Sequence, residues 1–467
     1  PEKEGMKYPT EAELKAVIDK VKAEKLEPYV DKVSNEPLLK EKPQAGKVVK
    51  TEQGAFGSTI LTLSNGVRVI VKPTDFKADE IRMKAFSPGG NSLFDDKDVL
   101  QFSVMNEVVP LGGLGNFSAV DLSKVLAGKV ASVNASVSTL TEGLGGSCSP
   151  KDLETMLQLV YLNFTAPRMD QEAFQSYIQR GKAALANQAA NPMSTFNDSL
   201  AVALYNHHPR ALRLKAEMMD KVDYNKIMEL YKNRYAEAGD FTFLLVGNID
   251  LATATEQYLG GLPTISRKEN FRDPKMDIRK GDYENNFIRD METAKSSIMM
   301  VYSGNCPYTL KNKIMMSMFD QLLDILYTRT VREEAGGTYG VSSWASISKY
   351  PQEEGTLNIY FDTDPNRREQ MVGLIKQGLQ DFIANGPATE DLNKVKEYML
   401  KTYQQNQKEN GYWMGALNEF YWTGLDMNKD YEATVNGVTI DDLKAFAKAF
   451  IGQNNVIEVS MSTPATK

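Results

Sequence analysis

An offset of 218 residues brings this 467-residue chain onto itself in three separate places. It lays Asn163-Phe-Thr-Ala-Pro-Arg-Met-Asp-Gln-Glu172 over Asp381-Phe-Ile-Ala-Asn-Gly-Pro-Ala-Thr-Glu390, with Phe164 on Phe382. It sets Val222-Asp223 on Ile440-Asp441 and Lys226 on Lys444, and it brings Lys77–Phe86 onto Lys295–Gly304, two runs of strand character. One offset recurring in separated windows marks an internal duplication. A duplicated chain of this length divides into units of about 200 residues, an ordinary domain size. Helical and strand patterns mix within each unit, and several strands pair as hairpins. This predicts an α+β fold of two homologous α/β sandwich units rather than a doubly wound parallel sheet. The expected boundaries are a helical connector over residues 1–50, a first unit over 51–275 and a second over 276–467.

Local patterns fill in this frame. Glu11, Leu14, Val17, Ile18 and Val21 have helical spacing, and Lys40-Glu-Lys-Pro-Gln-Ala-Gly-Lys47 reads as linker by composition. Thr59–Leu63 and Val67–Val71 flank Ser64-Asn-Gly66, an Asn-Gly hairpin signal. Strands are expected over Glu80–Phe86 and Ser132–Leu140, and a buried strand within Asp240–Asp250. Helices are expected over Asp98–Val108, Asp121–Leu126, Asp152–Thr165, Glu172–Ala190, Asp223–Tyr235 and Ala252–Leu259. Gly112-Gly-Leu-Gly115 lacks the spacing of a phosphate-binding loop and reads as a turn.

Composition removes several classes of function. A net charge of −7 argues against nucleic acid or an anionic membrane surface as the main partner. No apolar run approaches the ~18 residues of a membrane span. The chain opens Pro1-Glu-Lys-Glu without an initiator Met, which suggests a fragment or a processed product. Cys148 and Cys306 are too few for a disulfide framework. His207 and His208 are the only histidines, so histidine-based acid–base chemistry and a Ser-His-Asp triad are nearly excluded. Adjacent helical residues point ~100° apart, a poor fit to one metal ion, and Pro209 follows; a helix end or turn is expected there.

One stretch has the makings of a site. A Leu- and Met-rich helix, Met315–Tyr327, leads into Arg332-Glu-Glu-Ala-Gly-Gly-Thr-Tyr339-Gly-Val-Ser. Gly336 and Gly337 can end the helix, and a strand is expected from Tyr339. Arg332 and Tyr339 would then face a common space at a helix–strand corner. There they either donate hydrogen bonds to a peptide carbonyl or its oxyanion, or else pair with a neighbouring Glu and pack as ordinary structural residues.

Leu63-Ser-Asn-Gly-Val-Arg-Val-Ile-Val71, Tyr205-Asn-His-His-Pro209, Tyr231-Lys-Asn-Arg-Tyr235 leading to Phe243-Leu-Leu-Val-Gly-Asn-Ile-Asp250, and Arg332–Tyr339 together resemble one half of a pitrilysin/insulysin-type zinc metallopeptidase. This inverted-motif group includes mitochondrial processing peptidase, and the resemblance covers residues 55–467. In such enzymes two halves close around a chamber. One half carries H-x-x-E-H and a downstream Glu, and the other supplies an Arg/Tyr pair and chamber wall.

This chain departs from the active pattern. Leu100-Gln-Phe-Ser-Val-Met105 stands where the metal helix is expected, and the window for the downstream ligand, Gln179–Asn191, has no carboxylate. The resemblance therefore implies a non-catalytic C-terminal half, with no catalytic or metal residue of its own. Arg332 and Tyr339 would support substrate and transition state, and zinc would come from a catalytic half or subunit. It also implies a peptide substrate, no nucleic acid, no membrane insertion, and a setting in the bacterial periplasm or envelope. A regulatory subunit or inert scaffold of the same fold is the alternative.

Overall fold

In a computed structural model, residues 7–24, 36–250, 254–338 and 340–464 are described. Contacts divide the chain into Pro1–Glu36 and Pro37–Lys467. In the small unit, α1 (Glu11–Ala23) begins at Thr10, whose hydroxyl and backbone N–H trade hydrogen bonds with Glu13. None of its residues is buried, so the apolar positions read from its spacing remain exposed.

The large unit contains two sheets. The first holds β1 (Val48–Gln53), β2 (Thr59–Leu63), β3 (Arg68–Pro73), β4 (Ile81–Pro88), β5 (Ala131–Val137), β6 (Thr141–Cys148) and β7 (Thr242–Gly247), in the order β1-β2-β3-β7-β4-β6-β5. The second holds β8 (Asp282–Ile288), β9 (Ser296–Asn305), β10 (Val341–Ser348), β11 (Glu354–Thr363) and β12 (Val456–Ser462), in the order β10-β11-β9-β12-β8. From β3 the first sheet runs β3-β7-β4-β6-β5, and from β8 the second runs β8-β12-β9-β11-β10: the same topology twice. In each, one parallel pair (β3 with β7, β8 with β12) sits beside antiparallel neighbours. The β1–β2 strands extend only the first sheet, and Gly66 (φ +93°) turns the β2–β3 hairpin.

The helices repeat as well. The first sheet is accompanied by α2 (Val99–Val108), α3 (Ala119–Val125), α4 (Leu153–Thr165), α5 (Gln171–Ala189), α6 (Pro192–Tyr205), α7 (Tyr224–Tyr235) and α8 (Ala254–Tyr258). With the second come α9 (Leu310–Tyr327), α10 (Arg368–Asn385), α11 (Thr389–Asn406), α12 (Asn410–Thr423), α13 (Tyr431–Gly437) and α14 (Ile440–Ile451). The 218-residue spacing holds at the starts of α5 and α11 and again at those of α6 and α12. Each sheet packs one face on helices of its own half. Val69, Ile81 and Leu245 meet Met105, Leu157 and Ile227 in the first core, and Met300, Ile359 and Phe361 meet Phe319, Leu379 and Leu443 in the second.

On their other faces the halves exchange a helix. The α6 helix lays Phe196 and Ala203 on Val301, Ile457 and Val459 of the second sheet. The α12 helix lays Leu417 on Ile70, Leu244 and Val246 of the first. Hence β7 is buried at every position, covered on one side by its own half and on the other by α12. The α6 helix was not singled out in the sequence. Its start is marked by Asn191, which caps Met193 N, and by Pro192 at the first turn.

The stretch expected as linker, Lys40–Lys47, is docked. Gly46 N donates to the Glu256 carbonyl, Lys42 pairs with Glu154 at 2.7 Å, and Gln257 donates to the Pro43 carbonyl. A Cβ on Gly46 would stand 2.7 Å from the Gly260 backbone. The missing side chain of Gly46 serves close backbone packing.

Candidate functional site

Thr309 caps α9 by accepting from Asn312 N, and Phe319, Leu322 and Leu323 anchor the helix in the second core. Beyond Tyr327 the helix widens over Thr328–Glu334, and Ala335 N donates to the Thr330 carbonyl at 3.3 Å, five residues back. Such widened turns recur at functional sites. Val331 stays buried inside the widened turn, and Arg332 is turned outward and exposed.

The loop that follows is fastened from two sides. Thr363 donates to the Gly337 carbonyl at 2.6 Å, and Arg367 donates to the carbonyls of Ala335 and Gly336 at 2.8 and 3.1 Å. Gly336 takes φ +57°, and a Cβ on Gly337 would fall 1.9 Å from Met371 Sδ. These two glycines thus do different jobs, one for backbone hand and one for space.

Beside the corner lies a cavity of about 450 Å³ lined by Lys295, Gly336, Gly337, Thr338, Asp362 and Thr363, among others. Lys295 pairs with Asp362 at 2.9 Å. Burial would raise the Asp362 pKa, but hydrogen bonds from Ser297 and Lys295 overcome it and hold the carboxyl below its usual range. Arg332 is exposed, and among the described residues no hydrogen bond or ion pair engages it. Tyr339 lies outside the described residues.

The expected metal helix is α2. Gln101 bridges the Lys221 carbonyl and Asp223 N, Asn106 exchanges two hydrogen bonds with the Val137 backbone at 2.9 and 3.1 Å, and Glu107 accepts from the Tyr177 hydroxyl at 2.8 Å. These amides tie α2 to the rest of the fold and do not fit a zinc site. Among the described residues no three His, Cys, Asp or Glu side chains group as metal ligands. His207 takes φ +61° just after α6, and His208 Nδ1 accepts from Arg210 N at 3.2 Å. The His-His-Pro turn seats Arg210 on Asp96 (2.7 Å) and on the Phe94 carbonyl (2.7 Å), and so is structural.

Residues 221–399 match the family described as the peptidase M16 inactive domain. Over those residues the chain is similar to an M16 inactive domain. That match starts ahead of α7 and runs to α11, so it crosses from the first half into the second. A zinc protease PQQL-like protein of Arabidopsis thaliana is 24% identical over 440 residues, which cover 87% of this chain and 42% of that protein. The crystal structure of the periplasmic protease PqqL from Escherichia coli superposes with a TM-score of 0.82 at 18% identity, covering 97% of this chain and 51% of that one. The non-peptidase homolog YmxG of Helicobacter pylori is 21% identical over 385 residues, 79% of this chain and 85% of that protein. This chain therefore spans about two-fifths of the Arabidopsis relative and about half of the E. coli structure. Its fold is the pitrilysin-type metallopeptidase fold.

Two features went unread in the sequence. One is a buried charge cluster in which Arg234 meets Glu269 at 2.7 Å and Glu142 at 3.9 Å. Its only signal was an Arg between two tyrosines in Tyr231-Lys-Asn-Arg-Tyr235. The other is a polar trough of about 690 Å³ over β4, β6 and β5, whose lining includes Arg82, Lys84, Ser132, Asn134 and Gly145.

Proposed function

We propose that this chain is the non-catalytic half of a zinc-dependent metallopeptidase. It forms chamber wall and binds peptide, and a catalytic half, in the same chain or in a separate subunit, supplies H-x-x-E-H and the zinc. The observation that carries this reading is the pairing of an M16 inactive domain with an α2 whose polar side chains are committed to hydrogen bonds within the fold. Residues 51–275 and 276–467 would be its two duplicated domains, with 1–50 as connector. Arg332 and Tyr339 would donate to the substrate backbone or to the oxyanion of the tetrahedral intermediate. Support for Arg332 is its exposure in the widened turn that leads into the loop held by Thr363 and Arg367. The setting would be the periplasm, as for the E. coli protease.

The test is peptide hydrolysis by this chain mixed with a catalytic half carrying H-x-x-E-H. Activity should need both, and Arg332→Ala or Tyr339→Phe should lower kcat by ~10²–10³, the cost of one oxyanion donor. Activity and bound zinc in this chain alone would defeat the proposal.

The likeness to a protein named as a non-peptidase homolog favours a second reading, an inert scaffold or regulatory subunit. Normal association of the halves without hydrolysis would support it.

A further inference from the structure

The trough over β4, β6 and β5 is the half of the first sheet's outer face that α12 leaves open. Strand register sets its floor in rows. Lys84 pairs with Gly145, which pairs with Asn134; Arg82 pairs with Ser147, which pairs with Ser132. On β6 the middle of the floor is glycine, and a Cβ built at Gly145 would meet nothing within 4 Å. Ser132, Asn134 and Ser147 have no side-chain hydrogen bond among the described residues, so the strip offers free donors and acceptors.

Charge is what sets the trough apart. Arg82 is neutralised by Glu80 at 3.2 Å. Lys84 is the exception: its ammonium has no hydrogen bond or ion pair among the described residues, and the trough walls remove enough water to lower its pKa. The fold does not demand a cation there. On the second sheet the outward residues in the middle of β9 are Met299 and Val301, packed in the apolar cluster beneath α6. A partly dehydrated ammonium without a counter-ion, over a floor with no side chain, is complementary to an incoming anion.

We propose that this trough binds a carboxylate of a peptide, with Lys84 as its cationic ligand and Asn134 and Ser132 as hydrogen-bonding neighbours. The proposal rests on the reading of the chain as a peptide-binding wall and adds a substrate class to it: peptides with an acidic side chain or a free carboxyl terminus. A carboxylate on Lys84 would run its backbone along the Ser/Asn/Gly strip, where contacts are indifferent to sequence.

Fluorescence anisotropy of labelled short peptides on the full chain tests this. Three peptides are compared: one with an Asp-Glu pair and an amidated terminus, its Asn-Gln isostere, and that isostere with a free carboxyl terminus. A carboxylate from either source should tighten Kd about fivefold, as expected of a partly exposed ion pair. Whichever carboxylate gives the gain identifies the source. Lys84→Met should erase that gain, Lys84→Arg should keep it, and added salt should narrow it. The melting temperature of Lys84→Met should stay unchanged, since no ion pair is lost. If charged and neutral peptides bind alike, or if Lys84→Met changes nothing, the assignment of Lys84 is overturned and peptide binding survives. If no peptide binds, this inference and the chamber-wall reading fall together.

Discussion

Phe196, on a helix of the first half, lies edge-on to Tyr360 on the second half's sheet, with ring centroids 6.3 Å apart and planes at 76°. Its counterpart joins Phe86 of the first sheet to Trp422 at the end of α12, at 5.8 Å and again 76°. The exchange of helices is thus reciprocal down to an aromatic pair on each side.

From this exchange the halves are expected to unfold as one. Phe196→Ala removes a fully buried ring and should cost about 3–5 kcal/mol. Urea titration followed by tryptophan fluorescence in a Trp344→Phe background checks the coupling, because the remaining Trp413 and Trp422, on α12, pack against the first sheet. Their transition should shift together with the circular dichroism signal. A shift in the latter alone would show that the halves are independent.

Burial raises the Glu142 pKa from 4.5 to about 7, against opposing contributions from Gly90 N–H and Arg234. The folded protein therefore binds more protons than the unfolded chain between those values, and stability should fall as pH rises from about 4.5 to about 7. Glu142→Gln should remove that slope and leave the protein more stable at pH 8 than the parent. Denaturant midpoints across this range read the difference; parallel slopes for the two proteins would refute it.

Asn106 holds both the N–H and the carbonyl of Val137. Asn106→Ala leaves the Val137 N–H without that acceptor and should cost about 1–3 kcal/mol. Because α2 is held by amides rather than by a metal, chelator dialysis should leave the melting temperature of the chain unchanged. Thermal scans before and after dialysis decide this, and a chelator-dependent drop would expose a metal site.

Gly337→Ala pushes a methyl into Met371 and should destabilise by about 1–3 kcal/mol, the usual range for overpacking. Adding Met371→Ala should recover part of the loss through the space it opens, a coupling that a double-mutant cycle detects. Strict additivity of the two changes would show that the methyl is accommodated elsewhere.

What the sequence made legible were the local and the repeated. The Asn-Gly hairpin and the helices around Val99–Val108 and Leu153–Thr165 rest on patterns that one segment carries by itself, and the duplication on one pattern written twice. The glycines that turn α9 toward β10 were readable for the same reason. The partner of an apolar helix face was not: Phe196 and Leu200 read the same on either sheet, and only the fold sends them to the second. Lys84 was equally opaque, because an outward lysine on a strand reads as a solvated residue until the neighbouring strand proves to be glycine. In Lys40–Lys47 composition could not tell that Gly46 lies against the Gly260 backbone, since that neighbour is over 200 residues away.

The reciprocal helices also impose an order on synthesis. Tyr421 accepts a hydrogen bond from Ala55 N across 366 residues of sequence. All seven strands of the first sheet have been made once Gly247 is joined, yet Ile70, Leu244 and Val246 stay bare until α12 arrives. At ~5–20 residues per second, roughly 10–35 s pass before Thr423 leaves the peptidyl transferase centre. For that interval a finished sheet keeps an apolar face open to solvent, and its burial waits on a helix made long after it.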